Sequence, residues 1–313
     1  MGLREGAITR PGRDERTDAL LPGLRSPAER LIRRLPRSMQ TAAALRAVRA
    51  MPLPHDVEAA LVDEVARCWD GVPLPRPLTE LVDRARALEL VQRVEAADAA
   101  LAGPELAGRY LQITSLLPLE AALKEGRGVV LITPTYGAWS QIAPAIARRG
   151  YRVGLLDLRP PDRRPSHRFP AAPGLDLRVL PSDGYARPLV RFATEAPNVI
   201  VALGDAACGP RRAHSSLFGR PVEIASTPFE LARRSGLALL PVFAVRQNDG
   251  HRLVVEPALR ISDTGRGDGD LDVTAGRWLK LVERWARRHP DHYLGHLLLH
   301  RLRGGGAFFS DAA

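Results

Sequence analysis

Apolar positions along the chain change their period near residue 115. Before it they recur every three or four residues. SPAERLIRRL, from Ser26, sets a Ser cap and a first-turn Pro ahead of a helix. Further amphipathic helices are predicted over 38–50, 56–69 and 77–101, the last reading PLTELVDRARALELVQRVEAADAAL. Residues 26–115 therefore read as an all-helical region. Residues 1–25, rich in Arg, Gly, Pro and Asp, read as a disordered tail.

After that point short apolar runs alternate with helical patterns. A helix over 119–128 ends in Gly-Arg-Gly and feeds the strand GVVLIT, 128–133. A helix over 140–150 precedes a strand over 151–158, and a strand over 175–182 precedes a helix over 185–196. NVIVALGD, 198–205, is a strand that ends in an acid. TPFELARRSG, 227–236, is a helix with Thr227 as its cap and a Gly stop. It is followed by strands over 237–246 and 251–261, a long amphipathic helix over 274–290, and a shorter segment to Arg303. This alternation predicts the α/β class, with a mostly parallel central sheet flanked by helices and a helical N-terminal region. The α/β domain is drawn over 116–303, with a flexible C-terminus over 304–313. In such sheets ligands sit beyond the carboxyl ends of the strands. TPTYGAWS and GDAACGPRR follow two strands in that position.

Composition narrows the function classes. The formal charge is +10, yet only Lys124 and Lys280 are lysines, the arginines are spread out, and aromatics make up 5%. Nucleic acid is therefore not the expected partner, since stacking platforms are lacking. An anionic surface or an acidic carrier protein stays compatible with the charge. No apolar run reaches the roughly 18 residues of a membrane span, and the polar N-terminus lacks a signal-peptide core. The expected location is cytoplasmic, with at most a peripheral membrane contact. Cys68 and Cys208 form neither a disulfide framework nor a metal motif. No phosphate loop, G-x-S-x-G elbow or EF-hand spacing occurs, and RGDGDLD over 266–272 reads as a polar loop. No cofactor is expected. His292, His296 and His300 share one helical face, but no Cys or clear acidic partner accompanies the run, so a structural role outweighs metal binding.

Four segments together carry a resemblance: LEAALKEGRGVVLITPTYGAWS, GDAACGPRR, SSLFGRPVEIASTPFELARRSGLALLPVFAVR and RRHPDHYLGHLLLHR. In this order they resemble the lysophospholipid acyltransferase superfamily, in its lipid A biosynthesis (lauroyl/myristoyl) acyltransferase-like branch, over about residues 115–303. The resemblance implies acyl transfer from a thioester through a His-x4-Asp/Glu dyad, the His acting as general base and the acid orienting it. Aligning on Gly137 and Trp139 puts Thr135 at the His position and Ser140 at the acid position. Both members of the dyad are replaced, and a threonine hydroxyl is no base near neutral pH.

Three readings follow. The first is an atypical acyltransferase-like enzyme acting on an acyl thioester or acylated intermediate through a rebuilt site. Its catalytic candidates are Thr135, Ser140 and Asp205. Its substrate-binding candidates are Tyr136, Gly137, Trp139, Cys208, His214, Phe218 and Arg220. The second is a catalytically silent acyl-binding protein. The third, compatible with either, is a protein whose basic surface docks an acyl carrier protein. The expected partners are acyl-CoA or acyl carrier protein and a small-molecule or lipid acceptor. A lone Cys such as Cys208 is more often a small buried hydrophobe, and His214 reads rather as an exposed loop residue, while strand-end placement tips Tyr136 and Trp139 from core toward pocket wall.

Overall fold

The computed structural model describes residues 27–70, 72–101, 110–157, 175–181, 186–195, 197–205, 211–247 and 250–295. The tail over 1–25, the C-terminus over 304–313, Cys208, His296 and His300 lie outside the described residues. Helices α1 (Pro27–Arg34), α2 (Arg37–Arg49), α3 (His55–Cys68) and α4 (Leu78–Leu101) come first. Ile32 of α1, Ala44 and Val48 of α2, and Leu90, Val91 and Val94 of α4 form a small core of their own. Their spacing of three and four residues gives each helix one apolar stripe to bury.

The strands are β1 (Leu111–Ile113), β2 (Val129–Thr133), β3 (Val153–Asp157), β4 (Leu177–Pro181), β5 (Val199–Leu203), β6 (Arg212–Leu217), β7 (Arg220–Ala225), β8 (Ala238–Gln247) and β9 (Gly250–Val255). Seven of them form one sheet in the order β1-β9-β8-β2-β5-β3-β4. Every pairing in it is parallel except the β8–β9 hairpin. The fold is therefore the mixed α/β class that the alternating pattern predicts. Between the strands lie α5 (Leu117–Lys124), α6 (Ile142–Ala147), α7 (Ala186–Thr194) and α8 (Thr227–Ser235), and α9 (Asp268–Arg288) follows β9.

The period of two along each strand divides the core. Val130, Ile132, Ile200, Ala202 and Phe243 face one side, where α3, α7, α8 and α9 pack. Val129, Leu131, Val199, Val201 and Val242 face the other, against α5 and α6. All of β2 is buried, as expected of a strand covered on both faces. On α9 the buried positions Leu271, Ala275, Trp278, Leu279, Val282 and Ala286 recur at helical spacing, and Trp278 is fully buried. Burying each such large side chain contributes about 1.5–3 kcal/mol.

The structure corrects several sequence expectations. Leu111–Ile113 is a strand inside the region read as all-helical. It pairs with His251–Leu253, so three residues suffice because a partner edge is present. The antiparallel pair β6–β7, joined through Phe218 and Gly219, was not expected. Both turn residues have positive φ, 50° and 76°, the backbone a two-residue primed hairpin turn requires. The last strand stops at Val255 rather than running to Ile261. Ser226, not Thr227, precedes α8, while Gly236 closes that helix at φ 63° as expected. The polar loop RGDGDLD instead opens α9 from Asp268. Asp270 fixes that start by accepting hydrogen bonds from the Ser262 and Thr264 hydroxyls and the Thr264 and Arg266 amides. Burial alone would raise its pKa. Those four donors outweigh burial and lower it to about 2.

Candidate functional site

Strands β2 and β5 are parallel neighbours in register, Thr133 opposite Leu203, so the segments that follow them emerge together. The Gly204 amide donates to the Thr133 carbonyl at 2.9 Å and continues the pairing one step past the strands. The next residues meet side chain to backbone. The Thr135 amide donates to Asp205 Oδ2 at 2.7 Å, and the Thr135 hydroxyl donates to Asp205 Oδ1 at 2.5 Å. Each carboxylate oxygen is held by one donor from the same residue. Thr135 therefore stands where the resemblance places a His, and it orients an acid from the neighbouring strand end.

Asp205 lines a narrow cleft, part of it open to solvent. Pro134, Leu217, Val222, Ile224, Leu279 and Val282 supply an apolar wall, and Tyr136, Asp205, Glu223 and Tyr293 supply the polar groups. None of the described lining residues is Lys, Arg or His. Tyr136 is 3% exposed. Burial first, and the negative charge of Asp205 second, push its phenol pKa well above the ordinary range. The hydroxyl therefore keeps its proton at neutral pH.

Gly137 has a backbone task. Its φ is 62°, and a Cβ there would sit 1.9 Å from the Ala244 carbonyl oxygen. That carbonyl accepts the Ala138 amide at 3.1 Å, which locks the loop onto β8. A side chain at Gly137 would break this approach. Trp139 lies half-buried against the core on the α5–α6 face of the sheet, so it is not part of the cleft wall. Ser140 is half-buried in the single helical turn Trp139–Gln141 that leads into α6. The Thr135–Asp205 contact forms without it.

The remaining described candidates, His214, Phe218 and Arg220, are not among the cleft-lining residues. His214 is exposed and faces Glu223 across the β6–β7 pair, Nδ1 to Oε1 3.4 Å, so it stands one residue from the cleft wall. Its amide donates to Asp272. Phe218 stacks on Trp69 with centroids 6.0 Å apart and meets Tyr293 edge-on at 5.3 Å. Arg220 pairs with Glu64 of α3 at 3.4 Å. Glu64 also accepts from Arg67, the Tyr293 hydroxyl and the Cys68 thiol. Cys68 is buried, and burial first and the Glu64 charge second raise its thiol pKa far above the usual range. It is therefore no thiolate nucleophile at neutral pH.

Sequence reasoning missed Glu223, Tyr293 and the apolar wall from α9. Glu223 and Tyr293 fall inside the segments that carry the resemblance, but no spacing marks an exposed strand Glu or a buried Tyr as cleft residues. His292 was read as structural, and its contacts give it a structural task. Its Nε2 accepts the Arg246 amide at 2.7 Å and its Nδ1 lies 3.1 Å from Asp291, while its ring meets Tyr136 edge-on at 6.3 Å. With Nε2 accepting, the proton sits on Nδ1 and faces Asp291. Among the described residues no group of three His, Cys, Asp or Glu side chains is arranged to hold a metal.

A parallel α/β sheet with an acid and a hydroxyl at adjacent strand ends beside an apolar cleft is where open α/β folds place a ligand. The model of the bacterial lipid A biosynthesis acyltransferase family matches residues 92–303, and the chain belongs to that family. It is also similar to the phosphatidylinositol mannoside acyltransferase of Mycobacterium tuberculosis (strain ATCC 25618 / H37Rv). The two are 27% identical over 182 residues, 57% of this chain and 54% of that relative, so the match spans about half of the relative's length. Among the described residues no helix is long and apolar enough to cross a membrane.

Proposed function

We propose that the protein transfers an acyl group from a thioester to a hydroxyl or amine, using the Thr135–Asp205 pair in place of the His-x4-acid dyad. The observation that carries this reading is the double hydrogen bond from Thr135 to Asp205 at the rim of the apolar cleft. Asp205 takes the proton of the acceptor as its oxygen or nitrogen bonds to the acyl carbon. The carbon–sulfur bond then breaks, and the proton passes to the departing thiolate. Thr135 is the positioning residue: its amide and hydroxyl fix both carboxylate oxygens in one orientation. The thioester is carried by coenzyme A or an acyl carrier protein, and the acceptor is a lipid or small molecule. The reaction takes place on the cytoplasmic side of any membrane contact.

The test offers acyl-CoA and acyl-carrier-protein panels to the purified protein, with mass spectrometry following acyl loss. Turnover in the wild type that vanishes in Asp205→Asn supports the proposal. Binding without turnover across the panels overturns it in favour of a catalytically silent acyl-binding protein, the reading that the replaced dyad positions Thr135 and Ser140 favour.

A further inference from the structure

The Tyr136 hydroxyl is buried and has no hydrogen-bond partner among the described residues. A buried polar atom without a partner is costly, and native structures complete such atoms with a water or a ligand. Rotation cannot relieve it, because the ring is held edge-on to His292 at 6.3 Å and tilted on Phe243 at 6.2 Å. The following Gly137 pins the backbone to β8. A phenylalanine would fill the same space against the apolar wall, so packing alone does not call for the oxygen. The same side chain lines the cleft beside Asp205.

We propose that Tyr136 donates its hydroxyl hydrogen to the carbonyl oxygen of an uncharged acyl group whose chain lies along the apolar wall, and that the cleft thereby prefers a thioester or ester to the free carboxylate of the same chain. This deepens the acyl reading above and rests on it. The preference follows from charge. Asp205 and Glu223 already place two carboxylates in the lining, and no described lining residue is a cation. A fatty carboxylate would add a third negative charge to an apolar space, whereas a neutral carbonyl offers only an acceptor to match the one free donor. During transfer the negative charge develops on that carbonyl oxygen, so the donor that binds it also stabilises the reaction.

The test uses the full chain and a matched pair of probes: octanoyl-N-acetylcysteamine, and the S-octyl thioether that lacks only the carbonyl oxygen. Octanoate and octylamine complete the panel, read by isothermal titration calorimetry on the wild type and Tyr136→Phe. The wild type is expected to bind the thioester about tenfold more tightly than the thioether or octanoate, the phenylalanine variant to lose that margin, and thioether affinity to stay within about twofold. A margin that survives in Tyr136→Phe overturns the inference, as does octanoate binding as tightly as the thioester, or octylamine binding tightest. Equal wild-type affinity for thioester and thioether overturns it while leaving an acyl-binding cleft, and decides the matter even if the variant does not fold. Failure of every probe to bind the wild type overturns both this inference and the acyl reading.

Discussion

Two carboxylates near the carboxyl edge of the sheet make opposite use of similar chemistry. Glu95 of α4 is 2% exposed and contacts the fully buried His251 imidazole at 2.8 Å and Arg246 at 2.6 Å. Asp205 is half-buried at a cleft and is held by a threonine. An imidazole–carboxylate contact of the kind the family dyad uses thus exists in this protein, but between side chains that are buried from solvent. There it ties α4 to the β8–β9 hairpin. Access rather than the identity of the pair separates a site from a strut. The cleft carboxylate lines a surface that a ligand can reach, while the buried one meets two neighbours inside the core.

The largest expected effect tests the cleft side. Asp205→Asn keeps the size and most of the hydrogen bonding of the side chain but removes its ability to take a proton. Acyl transfer should fall by about 10²–10⁴-fold, the usual contribution of a positioned general base. The melting temperature should stay close to that of the wild type, because a half-buried rim residue carries little of the core. The comparison breaks if the Asn variant turns over normally, since Asp205 would then be as structural as Glu95.

The buried side predicts the reverse pattern. Arg246→Ala leaves the Glu95 charge in a dry site without its cation and should cost about 3–5 kcal/mol of stability in urea unfolding. Activity per folded molecule should hold. A milder loss is expected when Glu95 and Arg246 are replaced together by apolar residues of similar volume, because no unpaired charge then remains. A large activity loss with little loss of stability would place this cluster in the catalytic machinery.

The contrast also marks where sequence was readable. Strands β2, β5 and β8 are continuous apolar runs, and their alternation with helical patterns gave the class and the edge on which loops 134–141 and 204–205 meet. Asp205 was visible because it ends an apolar strand. Local pattern could not show that Thr135 bonds to it across seventy positions, because that contact arises from strand register. The same limit hid β1 and β6–β7, whose residues find their partners only after folding. Trp139 looked like pocket wall from its loop, but the helical turn after Ala138 carries it to the opposite face. Arg220 looked free for a ligand, yet Glu64, brought in by the N-terminal helices, meets it.

The buried pair gives a pH signature of its own. Burial lowers the His251 pKa more than its contact with Glu95 raises it, so His251 is neutral in the folded state. Glu95 is also held below its ordinary range: burial opposes this, but His251 and Arg246 together outweigh burial. In both cases the unfolded chain binds more protons than the folded one as pH falls. The stabilisation is therefore complete above the unfolded His value near 6.5 and is lost as pH drops below it, by up to about 1.4 kcal/mol per pH unit for each group titrating. His289, lowered first by burial and then by the neighbouring His292, adds in the same direction. Urea midpoints taken between pH 8 and pH 5 should fall on the acid side, with a shallower fall in His251→Gln. A flat profile in the wild type would mean that His251 is charged when folded.

The smallest effect concerns Ser140, where the resemblance places the acid of the family dyad. Ser140 sits half-buried on the turn into α6, and the contact between Thr135 and Asp205 closes without it. If the position that the resemblance gives to the dyad acid were in use, Ser140→Ala would cost as much as losing an orienting group. The structure predicts instead a change of less than about twofold in both turnover and stability, the range of a substitution that touches no buried network. Thr135→Val is the sharper companion. It removes the hydroxyl donor but leaves the amide, so Asp205 loses one of the two bonds that Thr135 gives it and turnover should drop by about tenfold, roughly the worth of one hydrogen bond to a charged group. Measured side by side, the two variants separate the positions: a Ser140 effect equal to that of Thr135 would show that the site is built on both ends of the loop, and a null result at Ser140 with a loss at Thr135 would confine it to the strand edge where Asp205 stands.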